Sequence, residues 1–232
     1  MVKSRAIANR ERKAKRTTLL IKEALVAVGT WFDDEAECVE ASALLTAVLD
    51  SLGVRARVQL VHTIAFYNPN DLSETQALFT SQGAVDYALA HGLGNPDWDW
   101  DSLREQADSG WAGHAVVIVE KPGWVLDPTF SQFTSKGFPD RVICQHIADP
   151  KRPEEGSWST QPDEFDNRFL VHYIPEDGDT AMQGKAVTLT HSWHDVAGQF
   201  ATHLLSGGSA ANAPWRESWR KYKETDPVRD FS

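Results

Sequence analysis

The sequence predicts an α+β fold in which N-terminal helices pack on an antiparallel sheet and further helices follow at the C-terminal end. Apolar residues recur every three or four positions over residues 17–28 and 35–52, a pattern that is typical of helices with one buried face. Runs rich in β-branched and aromatic residues predict strands, and they cover residues 54–64, 115–119, 124–126 and 169–175. A Lys-Pro-Gly turn signal between two of these runs predicts a hairpin, and the segment 193–205 predicts a C-terminal helix.

The predicted helix 35–52 carries a cysteine in its first turn. Gly53 marks the end of the helix, and acidic residues crowd its start, namely Asp33, Asp34, Glu35 and Glu37. A helix N-terminus and an adjacent imidazole lower the pKa of a thiol from about 8.5 toward neutrality. Cys38 is therefore a candidate nucleophile, although the acidic residues would oppose a thiolate. The alternative is a buried cysteine that acts as a small hydrophobe.

The predicted hairpin carries an imidazole and a carboxylate that would complete the chemistry. His114 begins the first strand and Asp127 ends the second, with the turn centred on residues 121–123. The two residues are expected to be near neighbours on adjacent strands without being strictly opposite. Together with Cys38 they match a nucleophile, a base and an acid that orients the base. The alternative for Asp127 is a turn-forming residue before Pro128.

Four segments, in order, resemble the transglutaminase-like branch of the papain-like cysteine enzymes. They are the helix-opening Cys38, the run Leu-Gly-Val-Arg-Ala-Arg-Val at 52–58, His114-Ala115, and Asp127-Pro128-Thr129. The resemblance covers about residues 30–133 and implies a papain-like, transglutaminase-like core. It implies that Cys38 is the nucleophile, that His114 is the general base and acid, and that Asp127 orients the imidazole.

The reaction implied by this resemblance is attack on an amide or ester carbonyl of a peptide, protein or small molecule. A thioester would form and would end in hydrolysis, as in a thiol protease or amidase, or in transfer to an amine. The backbone N–H of Cys38 is one candidate donor to the oxyanion, and the indole N–H of Trp31 is a second, with packing as the alternative for Trp31. No cofactor is expected.

The long interval 65–112 is a candidate wall for a substrate cleft. Trp98, Trp100 and Trp111 are the candidate substrate-binding residues, because indole rings supply contact area. The alternative for the first two is packing on the core beside an acidic helix start, with Asp101 and Ser102 as the capping signal. A further helix is expected over about 82–91.

The charge of the chain is divided unevenly. Residues 1–16 hold seven Lys and Arg against one Glu, which is a net +6 and leaves −16 for the rest of a chain whose net charge is −10. We expect a flexible basic arm at 1–16, an enzyme domain at 17–205 and a C-terminal extension at 206–232. The arm is a candidate contact for nucleic acid, anionic lipid or an acidic partner, and a solvated terminus is the alternative.

Composition and motifs limit the cellular location, the metal content and the function classes that we expect for the protein. The 232-residue chain is 41% hydrophobic and has neither a secretory signal nor an apolar run of membrane-spanning length, so we expect one main cytoplasmic domain with reduced thiols. His191 with His194, and Cys144 with His146, lack the full ligand set of a zinc pattern, so no metal site is expected. Two function classes remain: a cysteine hydrolase or acyl transferase, and an inactive relative that binds a partner through its basic arm and Trp/Asp-rich loop.

Overall fold

The fold was analysed in a computed structural model. It describes residues 2–32, 37–68, 75–107, 113–151, 153, 156–160 and 169–212. Three parts of the sequence predictions lie outside the described residues: Trp111, the acidic residues 33–35, and residues 213–232 of the expected C-terminal extension.

Six α-helices occur in the described part of the chain. They are α1 (Val2–Trp31), α2 (Cys38–Ser51), α3 (Gln82–Ala90), α4 (Trp100–Gln106), α5 (Thr180–Ser192) and α6 (His194–Leu205). The expected helices at 35–52, 82–91 and 193–205 are confirmed to within three residues at each end. Among the described residues no helix is long and apolar enough to cross a membrane.

The first helix differs from its prediction at both ends. The segment 1–16, expected as a flexible arm, is helical from Val2 onward and continues without a break into the predicted helix 17–28. The physical reason is composition, because Ala, Arg, Lys and Glu are strong helix formers and no Gly or Pro interrupts residues 2–28. The expected end at Gly29 is also wrong, since the helix runs on to Trp31.

Gly29 does not end the helix but allows α1 to approach another part of the backbone closely. A Cβ atom at this position would lie 2.4 Å from Cγ1 of Val142 and 2.8 Å from the carbonyl oxygen of Pro128. The missing side chain therefore lets α1 pack directly on the turn that follows Asp127.

In the described ranges of the chain, seven strands form one sheet: β1 (Ala56–Tyr67), β2 (Gln76–Phe79), β3 (Gly113–Val119), β4 (Trp124–Asp127), β5 (Ile143–His146), β6 (Trp158–Ser159) and β7 (Phe169–Pro175). Every pairing among them is antiparallel, and the order is β5-β4-β3-β1-β7-β6, with β2 also on β1. The predicted hairpin is confirmed, with Val119 opposite Trp124. Strand β1 is central because β3 pairs with its first half, β2 with its second half and β7 with its other edge.

The core lies on both faces of the sheet. Helices α1, α2, α5 and α6 bury an apolar layer against one face, which includes Leu60, Ala115 and Val117. The opposite face buries Val116 and Tyr173 with a set of aromatic rings from the loops and edges. Helices packed on an antiparallel sheet, with C-terminal helices added to the helical layer, confirm the α+β class.

Gly29→Ala is expected to destabilise the protein by about 1–3 kcal/mol, because the added methyl group meets the Pro128 carbonyl, which belongs to the backbone. Urea unfolding followed by circular dichroism measures the change. Gly184→Ala in α5 is the matched control, since nothing lies within 4 Å of its Cβ position. The control should be stabilised by about 0.5–1 kcal/mol, and an equal effect of both substitutions would contradict the close approach at Gly29.

Candidate active site

The hairpin of β3 and β4 brings His114 and Asp127 into direct contact. Val117 pairs with Leu126, and the same register places Asp127 opposite Val116, two residues from His114 on the same face. The Nε2 atom of His114 lies 2.7 Å from Oδ2 of Asp127, and both side chains are 0% exposed. An ionised carboxylate only accepts hydrogen bonds, so Nε2 carries the proton and Nδ1 is the nitrogen that faces away from Asp127.

The Asp127 carboxylate is held by two further donors. The hydroxyl of Tyr173 on β7 donates to Oδ2 at 2.9 Å, and the backbone N–H of Thr129 donates to Oδ1 at 3.0 Å. The hydrogen bond from Thr129 is the local contact expected of a turn-forming aspartate, which was the alternative role predicted for Asp127. Asp127 therefore shapes the turn and contacts the imidazole at the same time.

Burial and the Asp127 charge shift the pKa of His114 in opposite directions and the pKa of Tyr173 in the same direction. Burial alone would lower the pKa of His114, but the Asp127 carboxylate and, secondarily, the Cys38 thiol raise it above the ordinary imidazole value. Burial raises the pKa of Tyr173 well above its usual value, and the neighbouring carboxylate adds to the effect. Tyr173 therefore remains a neutral donor at physiological pH.

Cys38 is the first residue of α2, and the helix positions it beside this pair. The thiol lies near enough to the His114 ring to affect its proton affinity. One turn into the helix, Ser42 Oγ donates to the carbonyl oxygen of Ala115 at 3.0 Å, which ties α2 to the residue after His114. Cys38 is 4% exposed, so substrate must reach it through a narrow opening or after a local movement.

The second cysteine has a different environment. Cys144 lies on β5, and both cysteines are free thiols. Burial raises the pKa of Cys144 to about 11, against a smaller opposing effect of Lys22. Cys144 therefore stays protonated and unreactive near neutral pH.

Two residues that contact His114 were not found from the sequence. A 3₁₀ helix at Phe130–Lys136 follows β4, and on it Gln132 Nε2 lies 2.9 Å from His114 Nδ1. The ring of Phe133 lies 5.4 Å from the imidazole, centroid to centroid. No periodic signal marks a single 3₁₀ segment.

Tyr173, which contacts Asp127, carried a weak signal in the sequence, because the hydroxyl of a tyrosine in a buried strand requires a partner.

Of the predicted substrate-binding tryptophans, the three in the described part of the chain pack against other rings. Trp31 ends α1, and its ring stacks on Phe200 of α6 with centroids 4.7 Å apart. Trp98 and Trp100 join Phe66 and Phe79 in an aromatic cluster separate from the one that contains Cys38. Their packing alternative is thus observed, while a substrate role for these residues stays a prediction.

The helix start beside these tryptophans is capped two residues earlier than predicted. Asp99, not Asp101, is the N-cap residue of α4, and its carboxylate accepts from the backbone N–H of Ser102 at 3.1 Å. Asp101 lies in the first turn of the helix, where its charge suits the helix dipole.

The sequence pairs considered as metal ligands do not form a cluster. His191 lies in the last turn of α5 and His194 is the first residue of α6. Within the described ranges, no group of three or more His, Cys, Asp and Glu side chains is arranged to hold a metal ion.

Comparisons of the chain with protein-family models, with curated proteins and with solved structures give no match. The functional argument therefore depends on the geometry of Cys38, His114 and Asp127 and on the residues that contact them.

Tyr173→Phe is expected to lower the free energy of unfolding by about 1.5–3 kcal/mol, because it removes a donor from a buried carboxylate. The matched control is Tyr87→Phe, whose hydroxyl donates to the neutral Ser157 hydroxyl at 3.1 Å and whose loss should cost about 0.5–1.5 kcal/mol. Urea unfolding at neutral pH measures both. Equal losses would contradict a charged acceptor at Asp127.

Proposed function

We propose that this protein is a cysteine hydrolase or acyl transferase with a transglutaminase-like, papain-like core. The observation that carries the proposal is the buried His114–Asp127 contact of 2.7 Å beside a helix whose first residue is Cys38. The ordered sequence segments that resemble the transglutaminase-like family support the same assignment of roles.

In the first half of the proposed reaction, Cys38 Sγ attacks the carbonyl carbon of an amide or ester. Nδ1 of His114 takes the thiol proton, and the new S–C bond gives a tetrahedral oxyanion. The imidazolium then returns that proton to the leaving amine or alcohol as the C–N or C–O bond breaks. The product of this half is a thioester on Cys38.

In the second half, water or an amine attacks the thioester carbon. His114 takes the proton of the attacking group and returns it to the Cys38 sulfur as the S–C bond breaks. Water yields an acid, which is hydrolysis, and an amine yields a new amide, which is transfer. Asp127 stabilises the imidazolium in both halves and holds its Nε2–H, so that Nδ1 stays directed at the thiol.

The oxyanion requires donors that are in place before the reaction. The first N–H groups of a helix have no intrahelical acceptor, so the Cys38 backbone N–H at the start of α2 is suited to this role. The indole of Trp31 remains the candidate for the second donor.

The alternative function is a binding protein that keeps the fold without the activity. The low exposure of Cys38, 4%, and the full burial of His114 favour it, because a substrate must reach both side chains. The two functions differ in the reactivity of Cys38: the enzyme requires a thiolate promoted by His114, and the binding protein does not.

In a Cys144→Ser background, iodoacetamide is expected to alkylate Cys38 rapidly well below pH 8, because the imidazole accepts the thiol proton. His114→Ala should remove this reactivity, so that alkylation rises only near pH 8.5, the range of a free thiol. Intact-mass spectrometry follows the adduct from about pH 5 to about pH 10, a range that spans the pKa of a free thiol.

The matched control is His62→Ala. His62 also pairs with a carboxylate, with its Nε2 2.8 Å from Glu176 Oε2, but it has no role in the proposed reaction. The control should leave the pH profile unchanged. Equal profiles for the Cys144→Ser protein and its His114→Ala derivative would remove the enzyme proposal and leave the binding protein.

A further inference from the structure

The His114 ring has one nitrogen available to Cys38, and that nitrogen already has a hydrogen-bond partner. Nε2 is engaged by Asp127, and Nδ1 lies 2.9 Å from the amide nitrogen of Gln132. An amide nitrogen can only donate, so this contact is a hydrogen bond only when Nδ1 is unprotonated.

The Gln132 contact and the proton transfer from Cys38 exclude each other. A neutral imidazole nitrogen has one in-plane lone pair, and the Gln132 N–H and the Cys38 S–H would both donate to it. Once Nδ1 is protonated, its N–H points at the Gln132 N–H, and two donors face each other. Gln132 must therefore turn or withdraw when Cys38 gives up its proton.

The surrounding structure holds Gln132 in this position. Its backbone N–H donates to the carbonyl oxygen of Thr129 at 3.0 Å, and the N–H of Thr129 donates to Asp127 at 3.0 Å. The 3₁₀ helix is anchored by Phe130, which is fully buried and packs edge-on against the ring of Phe169 at 5.1 Å. One turn thus fixes both the carboxylate at Nε2 and the amide at Nδ1.

Opposite influences act on the two sides of the ring. The Asp127 carboxylate favours a second proton on His114, whereas the Gln132 amide favours the unprotonated form. The balance between them decides how much of Cys38 is thiolate before substrate arrives.

We propose that Gln132 is a positioning residue that opposes a second proton on His114 by donating to Nδ1 and that releases Nδ1 when Cys38 transfers its proton. This proposal rests on the cysteine–histidine chemistry proposed above. It assigns to Gln132 a restraint on the nucleophile, which lowers the fraction of Cys38 present as thiolate without abolishing it.

The test is the midpoint of the pH dependence of Cys38 alkylation in the Cys144→Ser background. Gln132→Met removes the amide and keeps an unbranched side chain of similar length. We expect its midpoint to fall by about one pH unit, which is about tenfold more thiolate below the midpoint. A change in access to Cys38 would alter the limiting rate at high pH without moving the midpoint, so the midpoint reports the proton transfer itself.

Three further variants make the result decisive. Gln132→Leu also lacks the amide and should give the same shift. The test therefore remains valid if one of the two variants fails to fold. Gln145→Leu is the matched control, since this glutamine lies on β5 and donates to the carbonyl oxygen of His146, and it should not move the midpoint. Adding His114→Ala to Gln132→Met should abolish the shift.

An unchanged or raised midpoint in both Gln132 variants, with the His114 dependence of the parent protein intact, would overturn this proposal alone. If neither the parent protein nor the Gln132 variants depend on His114, the proposed cysteine–histidine chemistry fails, and the role of Gln132 fails with it.

Discussion

The fully buried Asp127 carboxylate is the constraint on which the rest of the site depends. A buried charge costs several kcal/mol unless it is paired and hydrogen-bonded. Here the donors come from three places: His114 on β3, Tyr173 on β7 and the backbone of Thr129 in the following turn. The charge is therefore tolerable only when β3, β4, β7 and that turn have all reached their final positions, which couples the geometry of the site to the completion of the sheet.

The relative positions of the three proposed catalytic residues depend on close contacts around this sheet. Strands β2 and β3 lie end to end along β1, and Gly113 has φ +80°, with its Cβ position 2.3 Å from the carbonyl oxygen of Thr80. Only glycine fits such a junction without strain, and the junction fixes where His114 begins its strand. On the helical side, Gly29 lets α1 approach the turn after Asp127, and Ser42 fixes α2 to β3. These contacts place Cys38, His114 and Asp127 from three separate segments of the chain.

The parts of this arrangement that are local in sequence could be predicted, and the long-range parts could not. The apolar periodicity of α2 places Cys38 in a first turn, and the turn signal at 121–123 defines the hairpin that carries His114 and Asp127. Tyr173 lies 46 residues beyond Asp127, and only the pairing of β7 with β1 brings its hydroxyl to the carboxylate. That pairing depends on the whole sheet, which no short motif encodes.

Two further features of the structure have local explanations of a different kind. The charge of residues 1–16 suggested a flexible arm, but helix propensity and the absence of Gly and Pro extend α1 through it. Gln132 lies on a 3₁₀ segment of only seven residues, too short for a periodic pattern to show that its amide would meet an imidazole.

The central claim is that Asp127 holds the Nε2 proton of His114 and leaves Nδ1 to exchange a proton with Cys38. Long-range ¹H–¹⁵N NMR of the histidine rings tests this directly, with the protein and its Cys38→Ala variant titrated in parallel. We predict that Nε2 of His114 stays protonated throughout and that the titration of Nδ1 moves when the thiol is removed. A proton on Nδ1 with Nε2 bare, or identical Nδ1 titrations in the two proteins, would contradict the account.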